Sequence, residues 1–142
     1  MGQKWNVRYV IDKERRLIST IAEGCVVFND IRDHQDRLLT DPDFDPAFDQ
    51  LIDTTPAMEF DLSADDARTL AKRRVVSPES RRAFVALKPH IFGLGRMMET
   101  YHEDLGYADV NVFCSLDEAL NWLEMAERAR SPQRTRSGGS SH

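Results

Sequence analysis

The sequence has 142 residues, of which 41% are hydrophobic and 30% charged, and its formal net charge is −5. These values indicate one globular domain, exclude global disorder, and leave no apolar run near the roughly 20 residues of a membrane-spanning helix. All 24 acidic residues but only 15 of the 19 basic ones lie in residues 1–127. Such an acidic body disfavours a nucleic-acid surface, which needs clustered Lys and Arg.

The composition changes near the carboxyl end of the chain. Residues 1–127 are expected to form the folded domain, whereas residues 128–142 hold four arginines, no acid and a Ser/Gly-rich end. We therefore expect a disordered basic tail there. Because the sequence begins without a signal-peptide pattern, we expect a cytoplasmic protein. Its two cysteines, Cys25 and Cys114, are then expected to be reduced and buried as small hydrophobic side chains.

The first elements in chain order are a hairpin and a helix. Residues 5–12 alternate between apolar and polar side chains with the period of two that is typical of a half-buried strand. A polar turn leads to a second strand at 17–22. Asn29 is a favourable N-cap for a helix that ends near Thr40. The segment 41–46 contains two prolines and ends that helix.

The rest of the chain alternates between strands and helices. Ser63 and Asp66 have the spacing of a capping box, and they predict a helix that runs to about Val75. Pro89 suits the first turn of the next helix, which Gly106 ends. The remaining predicted elements are strands at 48–53, 82–87 and 110–114 and a final helix that carries Leu116, Ala119, Leu120 and Leu123.

The resulting order is ββαβαβαβα. Repeated alternation of strands and helices predicts a parallel sheet, and the opening hairpin adds one antiparallel strand. The sequence therefore predicts an α/β domain with a mostly parallel five-stranded sheet, an N-terminal hairpin and four helices.

Several motifs resemble the SpoIIAA-like family, which shares its architecture with STAS and SEC14-type domains. The motifs span most of residues 5–125: His34-Gln35-Asp36-Arg37-Leu38-Leu39, the DPDFDP run at 41–46, and the segments 48–53, 82–86 and 92–97. The resemblance implies a bacterial STAS/SEC14-type domain. Fold alone does not define a role, so the function has to be argued from the site.

Ser63 has two interpretations. In STAS proteins of the anti-sigma-factor antagonist type, a serine after an aspartate at a helix start is phosphorylated, and Asp61-Leu62-Ser63 matches that place. The resemblance thus implies a phospho-switch. This chain departs from the pattern, because Leu62 precedes the serine and Asp65 and Asp66 follow it. The other interpretation is that Ser63 is only the N-cap of its helix.

A ligand site is suggested by the helix that starts at Pro89. Arg82 and Arg96 offer positive charge for an anionic group, and Met97, Met98 and Tyr101 suit an adaptable apolar wall. Gly93 and Gly95 lie inside the same helix, where they allow close approach of either a neighbouring element or a ligand.

His34 shares a helical face with Ile31 and Leu38, so its imidazole is directed toward the core and needs a hydrogen bond there. It is either a core histidine or a ligand-contacting one. No histidine or cysteine pair has metal-ligand spacing, and no catalytic motif is recognisable, so neither a metal nor a cofactor is expected.

Three functional hypotheses follow. The first is a non-enzymatic binding or regulatory module of the STAS type that acts through a protein partner or a small amphiphilic ligand, as a monomer or a homodimer. The second is a carrier of a lipid or small apolar ligand, as in SEC14 domains, which requires a cavity of several hundred cubic ångströms beneath the helix at 91–105. The third is an uncharacterised enzyme.

Overall fold

The computed structural model describes residues 5–107 and 109–130. The strands of this part are β1 (Val7–Asp12), β2 (Leu17–Ala22), β3 (Gly24–Val27), β4 (Asp49–Asp53), β5 (Ala57–Asp61), β6 (Arg82–Val85) and β7 (Val110–Phe113). The helices are α1 (Phe28–Leu39), α2 (Ala64–Lys72), α3 (Pro89–Asp104) and α4 (Leu116–Arg130). Among these residues no helix combines the length and the apolar character needed to cross a membrane.

Five strands form the main sheet in the order β1-β2-β4-β6-β7. The hairpin partners β1 and β2 are antiparallel, with Val7 opposite Ala22, whereas β2, β4, β6 and β7 are mutually parallel. The predicted mixed α/β architecture, with its N-terminal hairpin and four helices, is confirmed. The nearly apolar strand β6 lies inside the sheet between β4 and β7, as is typical of apolar strands in parallel sheets.

A second, two-stranded sheet was not predicted from the sequence. The strand β3 follows β2 in the chain after a bend, β5 follows β4, and β3 and β5 pair in parallel. Gly24 takes a φ of 70° at this bend, a conformation that is costly for residues with a Cβ, and its N–H donates to the carbonyl of Pro56. Residues 24–27 and 57–61 lie outside the predicted strands, because the two strands are only four and five residues long and pair only with each other among the described residues.

Different helices cover the two faces of the main sheet, because alternate residues of each strand point to opposite sides. The face beneath α4 holds one cluster of buried apolar side chains: Leu17, Leu51, Ala83, Val85, Ala119 and Leu123. On the other face, Leu38 of α1 packs against Ile18 and Phe48. The inward residues of α2, namely Ala67, Leu70 and Ala71, and those of α3 also lie on this side.

The helix ends show how local residues set the elements. Ser63 accepts a hydrogen bond from the backbone N–H of Asp66 at 3.0 Å, and the Asp66 carboxylate accepts from the N–H of Ser63 at 3.2 Å, so the predicted capping box is confirmed. The prediction of Asn29 as N-cap of α1 is wrong. That helix begins at Phe28, where the carboxylate of Asp30 accepts from the N–H of Val27.

The expectation that Cys25 and Cys114 are buried is wrong, because both cysteines are free and exposed. Cys25 occupies an outward position of β3, and Cys114 directly follows β7.

Helix α4 continues to Arg130, past the predicted domain limit at residue 127. The remainder of the predicted tail, residues 131–142, lies outside the described residues.

Candidate ligand-binding site

A cavity of about 120 Å³ lies between the main sheet and helices α1, α2 and α3. Most of its wall is apolar, and its larger apolar side chains include Ile31, Leu38, Ile52, Leu70, Phe84 and Ile91. A volume of this size is close to the about 150 Å³ of a protein cavity that accommodates benzene. The several hundred cubic ångströms expected for carriage of a whole lipid are not reached.

Five polar side chains form a continuous line along the floor and the two helical sides of this cavity: His34 of α1, Thr20 of β2, Gln50 of β4, Arg82 of β6 and His102 of α3. They meet because the strands place every second residue on the same face, and Gln50 and Arg82 are register partners on neighbouring strands. The line therefore crosses three adjacent strands of the sheet.

Arg82 is the centre of this line. Its Nε and Nη2 donate to Oε1 of Gln50 at 3.1 and 2.9 Å, and its Nη1 lies 2.5 Å from Nε2 of His102. Since a guanidinium can only donate, Nε2 of His102 must be the unprotonated nitrogen of its ring. The other nitrogen, Nδ1, then carries the proton and donates to the carbonyl of Met98 at 2.8 Å. These contacts define the tautomer of His102.

The same reasoning extends to His34. Nε2 of Gln50 donates to Oγ1 of Thr20 at 3.2 Å, and Oγ1 of Thr20 lies 3.4 Å from Nε2 of His34. The Thr20 hydroxyl can accept from Gln50 and donate to Nε2 of His34 at the same time, and this arrangement leaves the His34 proton on Nδ1. That Nδ1 is buried and has no hydrogen-bond partner among the described residues. An unpaired buried donor is costly, and such groups call for an explanation.

Burial dominates the electrostatics of the line. Desolvation lowers the pKa of Arg82 to about 10, and none of the contacts described for its guanidinium is to a carboxylate. Desolvation, reinforced by nearby arginine charge, lowers the pKa of His34 and that of His102 to about 3. At neutral pH the polar line therefore carries one guanidinium cation and two neutral imidazoles.

Three of the predicted site residues meet in this cavity. Arg82, Met98 and His34 all line it, and His34 is 5% exposed, in agreement with its predicted inward orientation. Gly95 also lines it. A Cβ on Gly95 would lie 3.1 Å from Cγ2 of Val112, so this glycine allows close packing of α3 on β7.

The other three residues predicted to bind a ligand, all of them on α3, do not line the cavity. Arg96 is exposed and pairs with Glu99 at 3.6 Å, so it is not the anchor of a ligand in this cavity. Met97 is not among the lining residues. Tyr101 contacts the guanidinium of Arg68 on the outer surface of α2 and α3. The α3 residues that line the cavity are Ile91, Leu94, Gly95, Met98 and His102.

Ser63 is exposed at the amino end of α2 and does not line the cavity. Its hydroxyl is engaged as the N-cap, and Asp65, two residues on, pairs with Arg68 at 2.8 Å. The N-cap interpretation accounts for the contacts of this side chain.

Thr20, Gln50 and His102 line the cavity but were not predicted as site residues. The available pattern was a polar residue at the inward position of three neighbouring strands that are otherwise apolar on that side: Thr20, Gln50 and Arg82. Buried Gln50 sits in a four-residue buried run at 49–52. Such a residue must find a partner, and the register supplies Arg82.

Among the described residues there is no group of three His, Cys, Asp or Glu side chains that could hold a metal ion. No protein-family model matches the chain, and no curated protein matches it. Among solved structures, it is similar to an uncharacterized protein of the DUF3478 family from Shewanella loihica PV-4, which is described as having a SpoIIAA-like fold. The two superpose with a TM-score of 0.58 and 18% identity over 87% of this chain and 98% of that chain.

The chain has a SpoIIAA-like fold. This confirms the expectation drawn from the DPDFDP run and the neighbouring motifs, at the level of architecture. An identity of 18% carries no residue roles from one protein to the other, so the SpoIIAA-like fold positions the cavity but does not name its occupant.

Proposed function

We propose that this SpoIIAA-like chain is a non-enzymatic binding module that takes a small amphiphilic ligand into the cavity between the main sheet and helices α1, α2 and α3. The observation that carries the proposal is an apolar cavity with one polar line on its wall. Ligand pockets have this composition in general, with mostly apolar walls and few polar groups that orient the ligand.

The size of the cavity restricts the ligand. About 120 Å³ suits a compound with a body near the size of a benzene ring, and a whole phospholipid needs far more space. The SEC14-type hypothesis is therefore retained here only in its narrower form, the carriage of a small apolar or amphiphilic compound.

The pairing of Thr20 with His34 supports binding over catalysis. A hydroxyl beside an imidazole is the arrangement of a nucleophile and its general base, and that base normally has a third group to orient it. Here Nδ1 of His34 has no partner among the described residues, and burial lowers the pKa of His34 to about 3. An imidazole with that pKa is a weak base at neutral pH.

The experiment is a titration observed by the ¹³C-methyl signals of the methionines. Met98 lines the cavity and its neighbour Met97 does not, so the two form a matched pair. Benzyl alcohol serves as the probe, and Met98→Leu and Met97→Leu assign the signals. We expect the Met98 methyl to shift to saturation while Met97 stays in place. Equal shifts of both signals, or none at Met98, would overturn the proposal.

A second candidate is a STAS-type regulatory module controlled at Ser63. It is supported by the exposed position of Ser63 at the amino end of α2, where the helix dipole favours added negative charge. The test is mass spectrometry of the peptide that contains Ser63, prepared from the cells that make the protein. A phosphoryl group on Ser63 supports this candidate, and an unmodified peptide across growth and starvation conditions contradicts it.

A further inference from the structure

The unpaired hydrogen-bonding groups of Arg82 and His34 in the cavity are donors. Arg82 has five N–H bonds, of which three donate to Gln50 and His102, so two are left without a partner among the described residues. The proton assigned to Nδ1 of His34 is a further unpaired donor in a buried side chain. The carbonyl oxygen of Gln50 and Nε2 of His102 already accept from Arg82.

The charge of the lining is also one-sided. Arg82 and the exposed Arg74 line the cavity, and none of the described lining residues is Asp or Glu. A guanidinium without a carboxylate in an apolar site is poorly compensated, because a neutral amide and a neutral imidazole are its hydrogen-bond acceptors. The described cavity lining is thus positively charged, although the chain as a whole carries a net charge of −5.

We propose that the ligand is a carboxylate with a compact apolar body, and that its two oxygens take the spare N–H groups of Arg82. This inference rests on the proposed function and adds the chemical class of the ligand. A carboxylate matches the planar fork of a guanidinium, and a single negative charge matches the one cation on the cavity floor. The apolar body then contacts Ile52, Phe84 and Met98.

The number of positive charges in the cavity favours a carboxylate over a phosphate dianion. The imidazoles of His34 and His102 are neutral at pH 7, and the second lining arginine, Arg74, is exposed, so Arg82 is the one desolvated positive charge among the described lining residues. A second negative charge would remain buried without a partner, which is unfavourable in an apolar site.

The test compares benzoate with benzamide, which has nearly the same shape and no charge, at pH 7.5 in a buffer free of carboxylates. Binding is followed by the Met98 methyl signal and by calorimetry. We expect the dissociation constant of benzoate to be at least ten-fold lower than that of benzamide. In Arg82→Gln the ten-fold preference should be lost, with benzamide binding retained.

The outcomes separate this inference from the proposed function. Equal affinity for benzoate and benzamide overturns the carboxylate assignment and leaves the binding module intact. If neither compound moves the Met98 signal, both are overturned. A benzoate effect confined to Met97 or other surface methyl groups indicates adventitious binding and also overturns the inference.

Arg82→Gln removes a central hydrogen-bonding group. A second variant therefore tests the carboxylate assignment independently of whether Arg82→Gln folds. Gln50→Glu supplies a carboxylate to Arg82 from within the chain. We expect it to compete with the ligand and to weaken benzoate binding at least ten-fold. Undiminished benzoate affinity in folded Gln50→Glu would contradict the assignment.

Discussion

Gln50 on β4 and Arg82 on β6 are register partners, and Nε and Nη2 of Arg82 lie 3.1 and 2.9 Å from the same oxygen, Oε1 of Gln50. A neutral amide thus occupies the position where a buried arginine more often meets a carboxylate. Arg82 is desolvated in the folded protein. A substitution that changes the charge at position 50 should therefore change both the stability of the protein and the affinity of the cavity for an anion.

The first prediction concerns the stability of the protein without a ligand. Gln50→Glu should raise the free energy of unfolding by on the order of 1–2 kcal/mol, because it gives the buried guanidinium a charged acceptor. Gln50→Leu should lower it by roughly 2–3 kcal/mol, because it leaves Arg82 without its main acceptor. Urea unfolding at pH 7.5 measures both. If Gln50→Glu is the less stable of the two, residue 50 does not act through the charge of Arg82.

The second prediction concerns Ser63. Ser63→Ala should lower the free energy of unfolding by about 1 kcal/mol, because the N–H of Asp66 loses its acceptor at the amino end of α2. Ser63→Asn is the matched control, since asparagine is an equally good N-cap without added charge. Thermal unfolding measures both variants. Equal losses in the two would mean that capping is not the structural contribution of this side chain.

The fold was predictable from the sequence because its determinants are local. The alternation in residues 5–12, the capping box at Ser63 and the inward apolar residues of α3 each act within one element. Their chain order then leaves few topologies. The sheet of β3 and β5 was not predictable in this way, because its strands are four and five residues long and their pairing depends on the bend at Gly24.

The candidate site was predictable only in part, for a geometric reason. Spacing on α3 places Met98 inward, and the face of α1 places His34 inward, so both could be anticipated. The contact between Arg82 and Gln50 depends on the register of two strands that are separated by α2, and a single sequence does not specify that register. Arg96 does not line the cavity, because its position on α3 follows the inward Gly95 and is turned away from the sheet.

The third prediction compares the two glycines inside α3. A Cβ on Gly93 would meet nothing within 4 Å, so Gly93→Ala should raise the free energy of unfolding by about 0.5–1 kcal/mol through helix propensity. A Cβ on Gly95 would lie 3.1 and 3.2 Å from the two methyl groups of Val112. Gly95→Ala should therefore be destabilising by about 1 kcal/mol, as overpacked core positions are. Chemical denaturation measures both, and a gain at Gly95 equal to that at Gly93 would refute the close packing of α3 on β7.

The fourth prediction concerns the pH dependence of stability. His34 and His102 have pKa values of about 3 in the folded protein and an ordinary value of 6.5. Burial is the main cause for both, with Arg37 and Arg82 acting on His34, and Arg82 acting on His102. Between pH 6.5 and 3 the unfolded chain therefore binds more protons than the folded one, and stability falls as the pH is lowered through this range.

Each histidine contributes a slope of up to roughly 1.4 kcal/mol per pH unit in that window. Urea unfolding between pH 7.0 and 5.0 isolates this effect, because most carboxylates titrate below that range. His34→Gln and His102→Gln should each remove about half of the slope, and the double variant most of it. A slope that persists in the double variant would show that the acid sensitivity arises outside the polar line of the cavity.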